Sequence, residues 1–181
     1  EGGVRSARTI EAIVGSGIPD MGHIGLTPQA VTQLGGHRVQ GKTRDSARSL
    51  IADALAVQEA GAFAVVLELV PAELAQAITE RLSIPTVGIG SGPHTSAEIQ
   101  VVTDVVGLTQ GFVPRHARQF GQVGEALAEA VRAYRDAVTS GGFPAEAESS
   151  SMDASVLEDV LGRSELDRPA APMAIPLDRD L

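Results

Sequence analysis

The sequence of 181 residues contains no cysteine and no tryptophan. The absence of cysteine excludes a disulfide framework, a thiolate metal site and a cysteine nucleophile. The sequence also lacks an apolar run long enough to span a bilayer and a recognisable signal peptide. We therefore expect a cytoplasmic protein that has no membrane partner.

Positive charge is scarce. The chain has 14 Lys and Arg residues against 23 Asp and Glu residues, which gives a formal net charge of -9. A net negative charge disfavours non-specific binding to nucleic acid, and no Lys/Arg-rich stretch offsets it. We therefore expect small molecules rather than nucleic acid as partners.

The most informative segment is the apolar run 64–71, Ala-Val-Val-Leu-Glu-Leu-Val-Pro. A short run of β-branched and aliphatic residues is typical of a strand buried on both faces in a parallel sheet. Burying Glu68 without partners would be costly, so we expect its carboxylate where the strand leaves the core. A purely structural alternative is that Glu68 caps the next helix.

Predicted strands and helices alternate along the chain. Helices are predicted over residues 5–14, from Asp45 to 61, from Pro71 as first helical residue to 82, over 123–138 and over 154–161. Strands are predicted over residues 18–26, 64–70 and 84–90, with a further short strand within 101–108. Residues 27–44 show no period and predict a long loop. This alternation predicts parallel βαβ units, in either a (β/α)8 barrel or a doubly wound sheet.

Polar residues follow the predicted strands. Glu1, His23, Glu68 and the turn Gly90-Ser91-Gly92 all come just after a strand, where both folds bind ligands. Each has a structural alternative as well: a backbone-bonded histidine, or a tight turn for any single glycine. The other three histidines, His37, His94 and His116, are predicted to be solvated polar residues.

Four motifs occur in order: Gly22-His-Ile-Gly-Leu-Thr-Pro-Gln29, Gly35-Gly-His-Arg-Val-Gln-Gly-Lys42, Leu67-Glu-Leu-Val-Pro71 and Ile84-Pro-Thr-Val-Gly-Ile-Gly90. Together they strongly resemble the ketopantoate hydroxymethyltransferase family. The opening Glu1-Gly2-Gly3 is similar to the end of that family's Lys-Ile-Glu-Gly-Gly motif. The resemblance extends from residue 1 to about residue 144.

The resemblance implies a (β/α)8 barrel of TIM type. It also implies transfer of a one-carbon unit from 5,10-methylenetetrahydrofolate to 3-methyl-2-oxobutanoate, giving 2-dehydropantoate in pantothenate biosynthesis, with Mg²⁺ holding the keto acid. By the same resemblance, Glu68 is the general base that removes the C3 proton, and Glu1 is a carboxylate of the metal site. His23 resembles the histidine near the bound keto acid and is assigned an orienting role.

The chain also departs from the family pattern. Two metal-site aspartates, a serine and a lysine of the family have no counterpart, so residues 1–144 are interpreted as the C-terminal half of a barrel and 145–181 as a largely disordered tail. Ser96-Ala97-Glu98 stands where the family has Asp-Gly-Gln. We expect a chain cut at its N-terminus and inactive alone, and a homo-oligomer if the barrel is complete.

Two other interpretations remain open at this point. One is another Mg²⁺-dependent 2-oxo acid enzyme of the phosphoenolpyruvate mutase/isocitrate lyase-like group. The other is a non-catalytic half-barrel that assembles with a full-length homologue.

Overall fold

A computed structural model of the chain describes residues 1–32, 36–109 and 111–161. The chain divides into two compact units, one over Glu1–Leu127 and a second that begins at Ala128. No helix in these described ranges combines the length and the apolar character needed to cross a membrane.

The first unit is built on a sheet of four parallel strands in sequential order. The strands are β1 (Met21–Gly25), β2 (Ala64–Glu68), β3 (Thr86–Ile89) and β4 (Ala97–Glu98). In register, Gly25 of β1 pairs with Glu68 of β2, and Glu68 pairs with Ile89 of β3. The parallel α/β architecture predicted from the alternation is thus confirmed, and it is consistent with part of a TIM-type barrel.

Three described helices pack on one face of the sheet. They are α1 (Ala7–Gly15), α2 (Arg44–Glu59) and α3 (Ala72–Thr79), the last two of which connect consecutive strands. Their apolar faces bury residues against alternate positions of the strands, because side chains on a strand point to opposite faces in turn. The resulting core contains Ile10, Ile24, Leu50, Ala54, Val57, Val65, Leu67, Ala75 and Ile78.

A capping box sets the start of α2. The predicted start of α3 is wrong by one residue. Thr43 and Ser46 form a capping box that fixes the start of α2, close to the predicted Asp45. Pro71 is not the first helical residue: its ψ of 139° is extended, while its carbonyl accepts the amide of Ala75 at 2.9 Å. Pro71 therefore occupies the N-cap position, and α3 begins at Ala72.

The short strand predicted within 101–108 is also wrong. Residues Val102–Val105 form the helical turn α4, and the fourth strand lies earlier, at Ala97–Glu98. The β-branched run favours a strand, but Thr109 Oγ1 donates to Asp104 Oδ1 at 2.7 Å and holds the chain in a turn. Local contacts therefore override β propensity in this segment.

The remaining elements are short or peripheral to the sheet. A 3-10 turn over Pro28–Ala30 lies in the predicted long loop, and residues 33–35 of that loop lie outside the described residues. Helix α5 spans Val123–Thr139, as its amphipathic pattern predicts. In the second unit α6 spans Ala154–Leu161, the predicted helical range, while residues 162–181 of the predicted tail lie outside the described residues.

Candidate functional site

The face of the sheet opposite the helices carries the candidate site residues. Val65 and Leu67 belong to the core beneath the helices, so their neighbours Val66 and Glu68 project from the other face. The same alternation places Ile24 in the core and His23 on the face of Glu68. Strand register therefore brings two of the three predicted side chains to one surface at the carboxyl ends of β1 and β2.

Gly25 leaves room for this pair. It lies directly opposite Glu68 in the register, with a φ of +91°. A Cβ at this position would collide with the carbonyl oxygen of Glu68. Glycine is therefore required here both for the backbone conformation and for the close approach of β2.

His23 and Glu68 are in contact, as their placement on the sheet suggests. His23 Nε2 lies 3.1 Å from Glu68 Oε2, with side-chain exposures of 20% and 16%. The contact is at ion-pair distance but not aligned as a hydrogen bond, so buried Nε2 has no hydrogen-bond partner among the residues that the structure describes. A ring nitrogen such as Nε2 of His23, which lies beside a carboxylate and has no hydrogen-bond partner in the described part of the chain, can bind an oxygen of a substrate.

Glu1 joins the same cluster through its backbone. The amide of Gly2 donates to the carbonyl of His23 at 2.9 Å, and Ser6 Oγ donates to the carbonyl of Glu1 at 2.7 Å. The Gln29 amide donates to Glu1 Oε2 at 3.2 Å, and Glu1 Oε1 lies 3.8 Å from His23 Nδ1. All three predicted site residues are thus together, with His23 between the two carboxylates.

A tight turn follows Glu68. Leu69 has a φ of 50°, a left-handed conformation that residues other than glycine rarely adopt. The Glu68 carbonyl accepts the Leu26 amide at 2.8 Å, and the Leu69 amide donates to the Ile89 carbonyl at 2.9 Å. Glu68 thus ends the strand where the chain turns away from the sheet, as the sequence predicts.

A cavity of about 680 Å³ opens at this end of the sheet. Glu68 forms part of its wall together with mostly apolar side chains and four basic residues. The lining includes Leu26, Pro28, His37, Arg38, Val39, Leu69, Ile89, Val101, Asp104, Phe112, Pro114, Arg115 and His116. The space is sufficient for small organic ligands, which bind mainly in apolar cavities that contain a few polar groups.

Three residues at the site have positions that the sequence did not indicate. Ser91 is fully buried and its hydroxyl bonds to the backbone of β2, whereas the sequence marks it only as part of the turn Gly90-Ser91-Gly92. His37 and His116, predicted to be solvated, are exposed and also line the cavity. A serine between two glycines after a strand is a weak signal, because it is equally typical of an ordinary turn.

The described residues supply few ligands for a metal. No group of three or more His, Cys, Asp or Glu side chains within them is placed to hold a metal ion. Glu1 offers a carboxylate with 30% exposure, which suits an oxygen-preferring cation such as Mg²⁺. Mg²⁺ usually retains several waters and needs only one or two protein carboxylates, so Glu1 fits as one ligand of an open site.

This geometry defines an α/β protein with polar side chains gathered at the carboxyl edge of a parallel sheet, where such folds bind ligands. Residues 1–146 match the family model of ketopantoate hydroxymethyltransferase. The chain therefore belongs to the ketopantoate hydroxymethyltransferase family.

Curated relatives agree with this assignment. The chain is 57% identical over 165 residues to 3-methyl-2-oxobutanoate hydroxymethyltransferase of Chloroflexus aggregans, covering 91% of this chain and 59% of the relative. The chain is 51% identical to the enzyme of that name from Heliobacterium modesticaldum, over 84% of this chain and 55% of the relative. That from Streptomyces coelicolor is 54% identical, with 82% and 51% covered. The chain spans slightly more than half the length of these relatives.

Proposed function

We propose that this chain carries the proton-abstracting part of a 3-methyl-2-oxobutanoate hydroxymethyltransferase site. The reaction transfers a one-carbon unit from 5,10-methylenetetrahydrofolate to 3-methyl-2-oxobutanoate and gives 2-dehydropantoate. Family membership supports this proposal. The observation that carries it is the position of Glu68, which ends a central strand, lines the cavity and contacts His23.

Glu68 is the general base in this proposal. Its carboxylate takes the proton from C3 of the keto acid, and the enolate that forms bonds to the one-carbon unit. The two bonds from that carbon to the folate nitrogens break, the nitrogens take up protons, and water supplies the oxygen of the new hydroxyl group. The turn at Leu69 and the register with Gly25 fix the backbone on both sides of the carboxylate. A base held in this way loses little freedom when substrate binds, which favours proton transfer.

His23 orients the reacting groups. Its buried Nε2 lacks an aligned partner within the described ranges, so it can bond to an oxygen of the keto acid beside Glu68. The other ring nitrogen, Nδ1, lies 3.8 Å from Glu1 Oε1. His23 would thereby set the angle at which the substrate meets the base.

Glu1 is the residue of this chain that would hold a divalent metal such as Mg²⁺. The bound ion would supply Lewis-acid stabilisation of charge on the keto acid. The amide of Gln29 and the ring of His23 hold the Glu1 carboxylate beside His23, near the ring nitrogen that does not face Glu68. The described residues contain no group of three or more His, Cys, Asp or Glu side chains placed to hold a metal, so Glu1 would be one ligand among others.

Activity of the chain by itself is a separate matter. The described sheet has four strands, and the curated relatives are longer than the part matched here. We propose that the chain alone is inactive, that the protein is cytoplasmic and that it forms a homo-oligomer if the barrel is complete. These same observations favour a second candidate, a non-catalytic half-barrel that assembles with a full-length homologue.

Deuterium exchange at C3 of 3-methyl-2-oxobutanoate tests the proposal, because the exchange needs the base but not the folate. The assay compares the chain alone with the chain co-expressed with the part of the Chloroflexus aggregans relative that it does not match, both with Mg²⁺. Exchange in the second sample supports the base assignment. A folded complex that gives no exchange contradicts it and favours the non-catalytic candidate.

A further inference from the structure

Ser91 links the two sides of the turn that follows Glu68. Its Oγ donates to the carbonyl of Leu67 at 2.7 Å and accepts the amide of Val70 at 3.2 Å. The residue is fully buried, with 0% exposure. One hydroxyl group therefore bonds to the residues on either side of Glu68 and Leu69.

This hydroxyl replaces strand pairing at a point where the strands have separated. The Leu69 amide makes the last bond to β3, at Ile89. Beyond it, Gly90 and Gly92 have φ values of +65° and +79°, which turn the chain and direct Ser91 back toward β2. Without an oxygen at this position, the buried amide of Val70 would lose its hydrogen bond, and buried amides are rarely left unpaired.

The turn that Ser91 holds is an unfavourable one. Leu69 is the only residue other than glycine with positive φ in the described ranges. Such conformations persist only where surrounding contacts enforce them, and they cluster at functional sites. Because Glu68 is the adjacent residue, a change in the dihedral angles at Leu69 would redirect the strand end that presents the carboxylate.

We propose that Ser91 is a positioning residue for Glu68: its hydroxyl holds the Leu67–Val70 turn and thereby fixes the direction of the carboxylate toward His23. Ser91 touches neither substrate nor base, and it acts only through the backbone. The placement of Glu68 against His23 is independent of whether the chain is an enzyme, whereas any effect on turnover rests on the proposed function.

Ser96 provides a matched control. Its Oγ accepts the Thr86 amide at 3.2 Å at the opposite end of β3, so it makes the same kind of bond away from the site. Ser91→Ala and Ser96→Ala each remove one hydroxyl that pairs a backbone amide. A purely structural role for Ser91 predicts that both variants lower stability and that neither changes the site.

The test combines NMR of the chain with kinetics of the co-expressed complex. We expect Ser91→Ala to shift the ring proton signals of His23 and to lower kcat for C3 exchange by roughly 10-fold to 100-fold with little change in KM. Ser96→Ala should leave the ring signals and kcat unchanged. If Ser91→Ala does not fold, Ser91→Cys keeps a side-chain donor and acceptor on a slightly larger atom that forms a weaker hydrogen bond, and it should show the same effects at smaller size.

Unchanged His23 signals in a folded Ser91→Ala or Ser91→Cys variant would overturn the positioning role. Equal shifts in the Ser91 and Ser96 variants would do the same, because they would indicate a general loss of order. If no sample exchanges deuterium, the proposed function fails, but the NMR comparison still decides whether Ser91 positions Glu68.

Discussion

Gly25 lies opposite Glu68 in the pairing of β1 with β2, and the missing side chain of the glycine lets the backbone of Glu68 approach closely. The carbonyl of Glu68 occupies the space that a Cβ at residue 25 would need. The site thus depends on an absent side chain as much as on the carboxylate.

Gly25→Ala should destabilise the fold more than Gly17→Ala. Both glycines have similar positive φ values, +91° and +84°, so both substitutions introduce backbone strain of about 1–3 kcal/mol. Of the two, only residue 25 faces atoms at collision distance, whereas no atom of the described residues lies within 4 Å of a Cβ at residue 17. Overpacking should add about 1–3 kcal/mol at Gly25, measured by urea unfolding. Equal losses in the free energy of unfolding for the two variants would show that β2 moves to accommodate the added methyl group without cost.

Glu68→Gln should reduce C3 exchange by roughly 10²–10⁴-fold, the usual contribution of a general base. The amide keeps the size of the side chain but cannot take a proton. Glu73→Gln is the control, because Glu73 is exposed in the first turn of α3. The rate is measured by NMR loss of the C3 proton in the co-expressed complex. A rate within a few fold of the parent would exclude Glu68 as the base.

His23→Gln should lower exchange less than the loss of Glu68, because the residue orients the substrate rather than taking the proton. A hydrogen bond to a charged group contributes about 1.5–3 kcal/mol, which corresponds to roughly 10-fold to 100-fold in rate. The control is His94→Gln, at an exposed histidine outside the cavity lining. Saturation curves with the keto acid separate kcat from KM. A decrease in the exchange rate no larger than that of His94→Gln would contradict a role of His23 at the site.

Glu1→Gln should weaken metal binding in the presence of the keto acid. Mn²⁺ is a convenient probe, since it prefers the same oxygen ligands as Mg²⁺ and its EPR signal reports the bound fraction without any turnover. Glu11→Gln removes an exposed carboxylate from α1 and controls for net charge. Identical Mn²⁺ affinity in the two variants would contradict a metal role for Glu1.

Helix α6 should lose order at low pH. Asp153 Oδ1 accepts the Ser155 amide at 3.0 Å and the Ser155 hydroxyl at 2.8 Å, and these bonds lower the pKa of Asp153 below its ordinary value of 3.8. A lowered folded-state pKa means that the stabilisation is complete above 3.8 and is lost as pH falls through the folded-state pKa.

Backbone chemical shifts over Ala154–Leu161 measure this loss. Asp153→Asn keeps a good capping group without a titrating proton, so its helix should not respond to pH in the same range. Asp153→Ala should reduce helix content at every pH. A pH response that persists in the Asn variant would assign the effect to another group.

The strands and helices of the first unit follow from patterns that act locally. The run around Val66 and the apolar spacing of α2 predict their elements within a few residues. The position of Glu68 at the end of a strand was predictable because an unpaired buried carboxylate is costly. The meeting of His23 and Glu68 followed from their places on neighbouring parallel strands, whereas Glu1 lies before the first described element and its position was expected only from the family resemblance.

Other features depend on distant contacts and could not be predicted. The role of Ser91 requires its hydroxyl to meet the backbone of β2, 24 residues earlier at Leu67. The fourth strand formed at Ala97–Glu98 because these residues pair with β3, although their own composition gives little β propensity. The assembled sheet determines which residues pair in this way, and the local sequence does not indicate them.

The alternation of side chains along β2 also disfavours misfolded molecules in which β2 pairs with β1 in the wrong register. A slip of one residue against β1 would turn Glu68 under the helices and bring Leu67 out to the cavity. An unpartnered carboxylate in that apolar layer would cost several kcal/mol, on the order of the whole stability of a small domain. A molecule with the wrong register would therefore unfold rather than persist as an inactive copy, and quality control could remove it.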